Sequence, residues 1–151
     1  MILWRISNYD DLSGAGGVIH AGRWHSRGRP VVYLAESAAG ALLEVLVHIE
    51  AKHPGELPCD YRLLEVAVPD EAGIEDIETE SAVLPGGWQT DLSVTRRLGD
   101  RWLASGSSLL LRVPSAVVGR TYNLLFNPLH AQAARCTTVS VVRYPFDQRL
   151  R

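Results

Sequence analysis

At 151 residues, with 46% hydrophobic and 21% charged side chains, the chain has the size and composition of one soluble globular domain, which excludes a disordered or fibrous class. Its 15 Lys and Arg against 17 Asp and Glu leave a formal charge of −2, so it lacks the basic footprint of a nucleic-acid binder. No run of about 18 apolar residues exists to span a bilayer, and MILWRISNYDD lacks the apolar core of a signal peptide, so a cytoplasmic location is expected.

In chain order, Ile2 to Ser7 reads as a first strand, ended by the polar run Asn8 to Asp11. A long flexible loop is expected next; SGAGG at Ser13 to Gly17 lacks the spacing and the following helix of a phosphate cradle. Val31 to Ala35, β-branched and aromatic, is a second strand. From Ser37, a plausible N-cap, to about Lys52 the apolar spacing predicts a helix buried over most of its surface. Tyr61 to Val68 is a strand stopped by Pro69. Six carboxylates between Asp70 and Glu80 read as a solvated acidic edge. Pro85-Gly86-Gly87 forms a turn before a helix capped by Asp91 or Ser93, with Val94, Leu98 and Trp102 inward and Arg96, Arg97 and Arg101 outward. Ser107 to Val113 is a strand that Pro114-Ser115 stops or bends, Asn127-Pro128 starts a short helical turn, and Thr137 to Tyr144 closes with an alternating strand. Without regular βαβ alternation, the expected fold is α+β, one domain over 1–151 with a mixed, mainly antiparallel sheet.

The polar residues hardest to explain by folding alone lie between Gly22 and Lys52. Ala41, Glu44 and His48 share one helical stripe, so Glu44 is a carboxylate on an apolar helix and needs a partner. Arg23, Arg27 and Arg29 are near in sequence, and Arg23, Tyr33 and Glu44 could converge at one end of a loop-strand-helix unit. The residues alone allow three readings of Glu44, ranked thus: a buried ion pair with Arg23, a metal ligand with His48, or a catalytic carboxylate. No HExxH spacing supports the second, and Glu36 offers no reason for a paired-acid glycosidase. A Ser after Pro, as at Ser115, is most often a turn or cap residue, and no GxSxG elbow points to a serine hydrolase. Cys59 and Cys136 read as free thiols without a role.

GRW at Gly22 to Trp24, VVYLAES at Val31 to Ser37, ALLEVLVH at Ala41 to His48, LLRVPSAVV at Leu110 to Val118 and NPLH at Asn127 to His130 resemble, in order, the blocks of the RES domain, named for an arginine, a glutamate and a serine. Trp4, Arg5 and Ile6 fit that family's opening strand, and the likeness covers nearly the whole chain. One departure is His25, where many members have asparagine. The resemblance implies a fold like the catalytic core of ADP-ribosylating toxins and the role of a bacterial toxin that consumes NAD, partnered by an Xre-type antitoxin. NAD is then substrate, with no resident cofactor, no metal, no direct nucleic-acid contact and no membrane; homodimerisation stays open. It implies Arg23, Tyr33, Glu44 and Ser115 as the catalytic set and Arg5, Arg23, Trp24, Tyr33 and Asn127 as binding residues. Glu44 would face the oxocarbenium charge on the ribose, the arginines would hold the pyrophosphate, and Tyr33 and Trp24 would pack at the nicotinamide end. Water, phosphate or a protein side chain could each be the acceptor, and a catalytically silent antitoxin-binding module is the rival class.

Overall fold

The computed structural model describes residues 1–49, 57–77 and 84–150. Along them run β1 (Ile2–Ser7), α1 (Ala15–Ile19), β2 (Val32–Ala35), α2 (Ala38–Leu46), β3 (Arg62–Ala67), β4 (Ile74–Asp76), α3 (Leu92–Ser105), β5 (Leu110–Pro114), β6 (Tyr122–Phe126) and β7 (Thr137–Arg143). The strands form one sheet in the order β4-β5-β6-β2-β1-β3-β7, in which β4 and β5 run parallel and the other neighbouring pairs antiparallel. None of the helices is long and apolar enough to cross a membrane among the described residues.

Alternation along the strands sends apolar side chains to both faces. Leu3, Val32, Leu34, Leu64, Val66, Leu110, Leu124 and Phe126 build one continuous cluster on the first face. The second face carries two separate clusters. Under α3, Trp102 packs with Leu111, Val113, Leu125, Trp24 and Val31; under α2, Ala41 packs with Ile6, Ala35, Ile49 and Phe146. Tyr33 lies opposite Leu125 in the ladder, and Ala35 opposite Trp4 and Asn123, so this part of the second face falls between the two packing units.

Several expectations from the sequence need correction. The first loop contains α1, a single turn after Gly14, whose φ of 74° is the left-handed region glycine tolerates. Gly14 is also pressed against the backbone at Val31, where a Cβ would sit 2.5 Å from the amide nitrogen. Ser37 does cap α2, its Oγ accepting from the Gly40 N–H at 3.0 Å, but the helix ends at Leu46 and is only half covered. Leu43 is 43% and Val47 58% exposed, because only the Ala41, Leu42, Val45 and Leu46 side meets the sheet. Glu50 to Lys52 and the loop at His53 to Gly55 lie outside the described residues, as do Glu78 and Glu80. The acidic stretch holds a short strand, β4, at the sheet edge, and TYNLLF contains a full strand, β6, that was not expected from the sequence. On α3, capped by Asp91, the buried stripe runs along Thr95, Gly99 and Trp102, and Arg96 turns inward to a backbone carbonyl instead of outward. Cys59 and Cys136 are free.

Candidate active site

β1 and β2 are in register only at Trp4 and Ala35. Beyond that pair the ladder stops, while β1 continues against β3 and β2 against β6. Along this split opens a cavity of about 640 Å³, roofed by the loop after α1 and walled by α2; Arg5, Arg23, Trp24, Tyr33 and Glu44 all line it. The loop, strand and helix that the sequence offered as a convergent unit do converge.

Glu44 reaches the cavity from α2, with Ala41 one turn before it and Val45 and, just past the helix end, His48 also lining the cavity. Its partners are neither arginine nor histidine. Ser115 Oγ donates to Oε1 at 2.6 Å, and Asn123 Nδ2 donates to the same oxygen at 2.8 Å. Oε2 is left without a hydrogen bond among the described residues. Ser115 is 9% exposed and does not line the cavity; its Oγ accepts the N–H groups of Val117 and Val118 at 3.1 Å each. With those donors pointing at it, the hydroxyl proton has one direction to go, toward Glu44. Ser115 is a positioning residue.

Arg23 lines the same cavity from the loop after α1. Its Nη1 donates to the Gln89 carbonyl at 2.5 Å, so it is anchored without a counter-charge. The loop that carries it is gripped by α3 along one stripe. Thr95 Oγ1 donates to the Arg23 carbonyl at 2.6 Å, Arg96 Nε to the Gly22 carbonyl at 2.8 Å, and the Asp100 carboxylate accepts the N–H and hydroxyl of Ser26 at 2.9 and 2.6 Å. Gly99 is the contact point, since a Cβ there would overlap the Trp24 carbonyl. Arg29 pairs with Asp100 at 3.1 Å, not with Glu44. The expected Arg23–Glu44 ion pair is absent from the described residues.

Tyr33 connects this loop to the sheet. His25 Nε2 lies 2.9 Å from the His20 carbonyl and 3.2 Å from that of Gly17, so that nitrogen carries the proton and Nδ1 is the acceptor. The Tyr33 hydroxyl, 2.9 Å from Nδ1, therefore donates to His25 and accepts the Trp24 N–H at 3.0 Å. Burial drives the Tyr33 pKa well up and holds that of His25 below its ordinary value, so both groups stay neutral. Gly22 is required here, because a Cβ would sit 2.5 Å from the Tyr33 oxygen.

Trp24 is 2% exposed and tilted against Trp88 with ring centroids 5.6 Å apart, a wall of the cavity as well as a core residue. Arg5 lines the split and donates to the Asp11 carbonyl at 2.8 Å; burial lowers its pKa, opposed by the charges of Asp11 and Tyr9. Asn127 is elsewhere: 2% exposed and away from the cavity, it donates to the Leu103 carbonyl at 3.3 Å and accepts the Leu129 N–H at 3.0 Å, a turn-forming role. Asn123, which was not expected from the sequence, touches both Glu44 and the cavity. A polar residue inside the β-forming run Tyr122 to Phe126 was the signal for it.

A protein of Pseudomonas putida (strain KT2440) named Toxin Res is 48% identical over 150 residues, covering 99% of both chains. The Prs ADP-ribosylating toxin of Sphingobium sp. (strain YBL2) is 37% identical over 155 residues, covering 97% of this chain and 94% of its own. A chain of the M. tuberculosis MbcT-MbcA toxin-antitoxin complex shares the fold with a TM-score of 0.74 at 20% identity, over 95% of this chain and 83% of that one. The RES domain matches residues 2–147, which takes in every strand of the sheet and both walls of the cleft, and the chain belongs to the RES domain family.

Proposed function

We propose that the chain is the toxin of a bacterial toxin-antitoxin pair and that it cleaves the nicotinamide-ribose bond of NAD in the cleft between Arg23 and Glu44. One observation carries the reading: one cleft is lined by a cation and a carboxylate, each anchored by uncharged groups instead of by the other. Neither charge is quenched, and NAD presents the complement of both. Its pyrophosphate is anionic in the ground state, which suits the guanidinium of Arg23, with Arg5 at the split as a second candidate. Its ribose gains oxocarbenium character as the C1′–N bond breaks and the bonding pair leaves on neutral nicotinamide, so no proton donor is needed. The Glu44 carboxylate is set to oppose that developing charge, with its Oε1 already fixed by Ser115 and Asn123. A volume of about 640 Å³ lies within the roughly 300–1,000 Å³ of small-molecule sites. The names of the relatives support the toxin role, and an antitoxin partner, here of Xre type, would inhibit by covering this cleft.

The acceptor that takes the ribose C1′ defines the reaction. Water gives a glycohydrolase and phosphate a phosphorylase; the name of the Sphingobium relative favours a third reading, transfer of ADP-ribose to a protein. Purified chain, separated from any antitoxin, is expected to release nicotinamide from NAD. Identifying the ribose product with and without phosphate, then with candidate protein acceptors, assigns the reaction; no nicotinamide release under any of these conditions would refute the reading.

A further inference from the structure

Behind the Arg23 loop, on the outer side of α3, a second concavity of about 520 Å³ is lined by Arg29, Arg96, Arg97 and Arg101 with Asp100 among them. Four guanidinium groups against one carboxylate is the reverse of the whole chain, whose formal charge is −2. That carboxylate is already engaged, by the N–H and hydroxyl of Ser26 and by Arg29. Arg97 and Arg101 stand one turn apart on α3, an unfavourable like-charge spacing. The Asp91 carboxyl is held below its ordinary range chiefly by hydrogen bonds from Ser93, with Arg97 a lesser influence, and Arg101 makes no ion pair among the described residues. The four cations rim a shallow depression that is open to solvent.

We propose that this hollow is an anion site, separate from the NAD cleft, that takes an oligophosphate such as inorganic tripolyphosphate or the phosphate tail of a nucleoside triphosphate. Guanidinium forks match adjacent phosphate oxygens two at a time, whereas the Ser93 hydroxyl at the rim already donates to Asp91 and takes no part. A compact ligand of several linked charges is favoured over an acidic peptide, because the arginines gather around one concavity instead of tracking along a surface. The site adjoins the cleft through shared residues: Arg96 also holds the Gly22 carbonyl, and Asp100 also holds Ser26. An occupant would therefore rest against the side chains that fix the loop bearing Arg23.

The test is calorimetric titration of the intact chain with tripolyphosphate, in parallel with a nucleoside triphosphate and with an Asp/Glu-rich peptide. Arg97→Ala with Arg101→Ala removes two exposed cations and spares Arg96 and its bond to the loop. This double variant should weaken tripolyphosphate binding by about tenfold or more, and Arg97→Glu with Arg101→Glu should abolish it, with melting temperatures close to wild type. Binding should also fall steeply as salt rises from about 0.05 M to about 0.3 M. Arg23→Ala, which alters only the cleft, should leave it intact. Equal affinity for the two phosphate ligands assigns recognition to the phosphates alone, and tighter nucleotide binding adds a base contact; both support the site. Binding insensitive to the double variant, binding lost with Arg23→Ala, or binding of the peptide alone would overturn the proposal.

Discussion

Glu44→Gln isolates charge from shape. The amide oxygen of the substituted side chain can occupy the place of Oε1 and accept both Ser115 Oγ and Asn123 Nδ2, leaving the NH₂ where Oε2 now stands without a partner. Two charge-assisted bonds become neutral ones, a loss of about 1 kcal/mol each, offset by the relief of a half-buried carboxylate that has no counter-ion. The expected change in stability is therefore within about 1 kcal/mol in either direction. Turnover should respond far more. Removing a preorganised group that faces transition-state charge costs about 10²-fold or more, on the order of 3 kcal/mol, while ground-state NAD affinity should stay within a few-fold. A thermal melt, a titration with NAD and a nicotinamide-release assay on the same preparation separate these quantities. A large fall in melting temperature with near-normal turnover in the folded fraction would show that Glu44 is structural and remove it from the chemistry.

Arg23→Ala should instead weaken NAD binding by about tenfold or more with a smaller effect on turnover of bound substrate, because pyrophosphate charge is present throughout the reaction; a pure turnover defect in the same titration would contradict this. Ser115→Ala leaves the Val117 and Val118 N–H groups without their acceptor and Glu44 held by Asn123 alone, so a loss of about 2 kcal/mol in a urea melt together with slower nicotinamide release is expected. Gly99→Ala forces a methyl into the Trp24 carbonyl, and backbone on both sides leaves little room to yield; a loss of about 3 kcal/mol or more by denaturant melt is expected. His25 gives a pH dependence of known sign. Burial lowers its folded pKa, so the unfolded chain takes up the proton first: the contribution is complete above about pH 6.5 and is lost as pH falls toward the lower folded value, at no more than about 1.4 kcal/mol per pH unit. His25→Asn should flatten the stability curve between about pH 7 and about pH 5 relative to wild type, and an unchanged difference between the two proteins across that range would refute the assignment.

The strands and the capped helices were legible where periodicity and capping act locally, as at Ser37 and Asp91, whose side chains take the amides expected of caps. Convergence of Arg23, Tyr33 and Glu44 was legible too, since a loop, a strand and a helix in immediate succession have few ways to be far apart. The partners of those residues were not. Glu44 is held by Ser115 and Asn123, separated from it by 71 and 79 residues, and Arg23 by Gln89, separated by 66. Sequence proximity favoured Arg23 for Glu44, yet pairing across the sheet decided otherwise, because β6 sits beside β2 and brings Asn123 opposite Ala35. Thr95 and Gly99 show the same limit: both look like ordinary helix residues until the loop that lies on them is known. Asn127 shows the converse, a polar residue in a recognisable block whose amide is spent on its own turn and on the Leu103 carbonyl of α3.

The separate anchoring of the two walls explains why the site can keep opposite charges about one cleft without their collapsing into a salt bridge. α3 fixes the cationic wall through Thr95, Arg96 and Asp100, whereas β5 and β6 fix the acidic wall through Ser115, which follows the one, and Asn123, near the start of the other. Each wall packs against its own cluster on the second face of the sheet, and the early end of the β1–β2 ladder keeps the space between them open. A direct Arg23–Glu44 pair would satisfy both charges and leave nothing for a ligand. Holding each by neutral donors and acceptors costs stability, since a charge in a partly buried site is better compensated by its opposite. In the proposed reaction that cost is recovered when NAD supplies both missing partners at once, a pyrophosphate for the cation and a cationic ribose for the carboxylate.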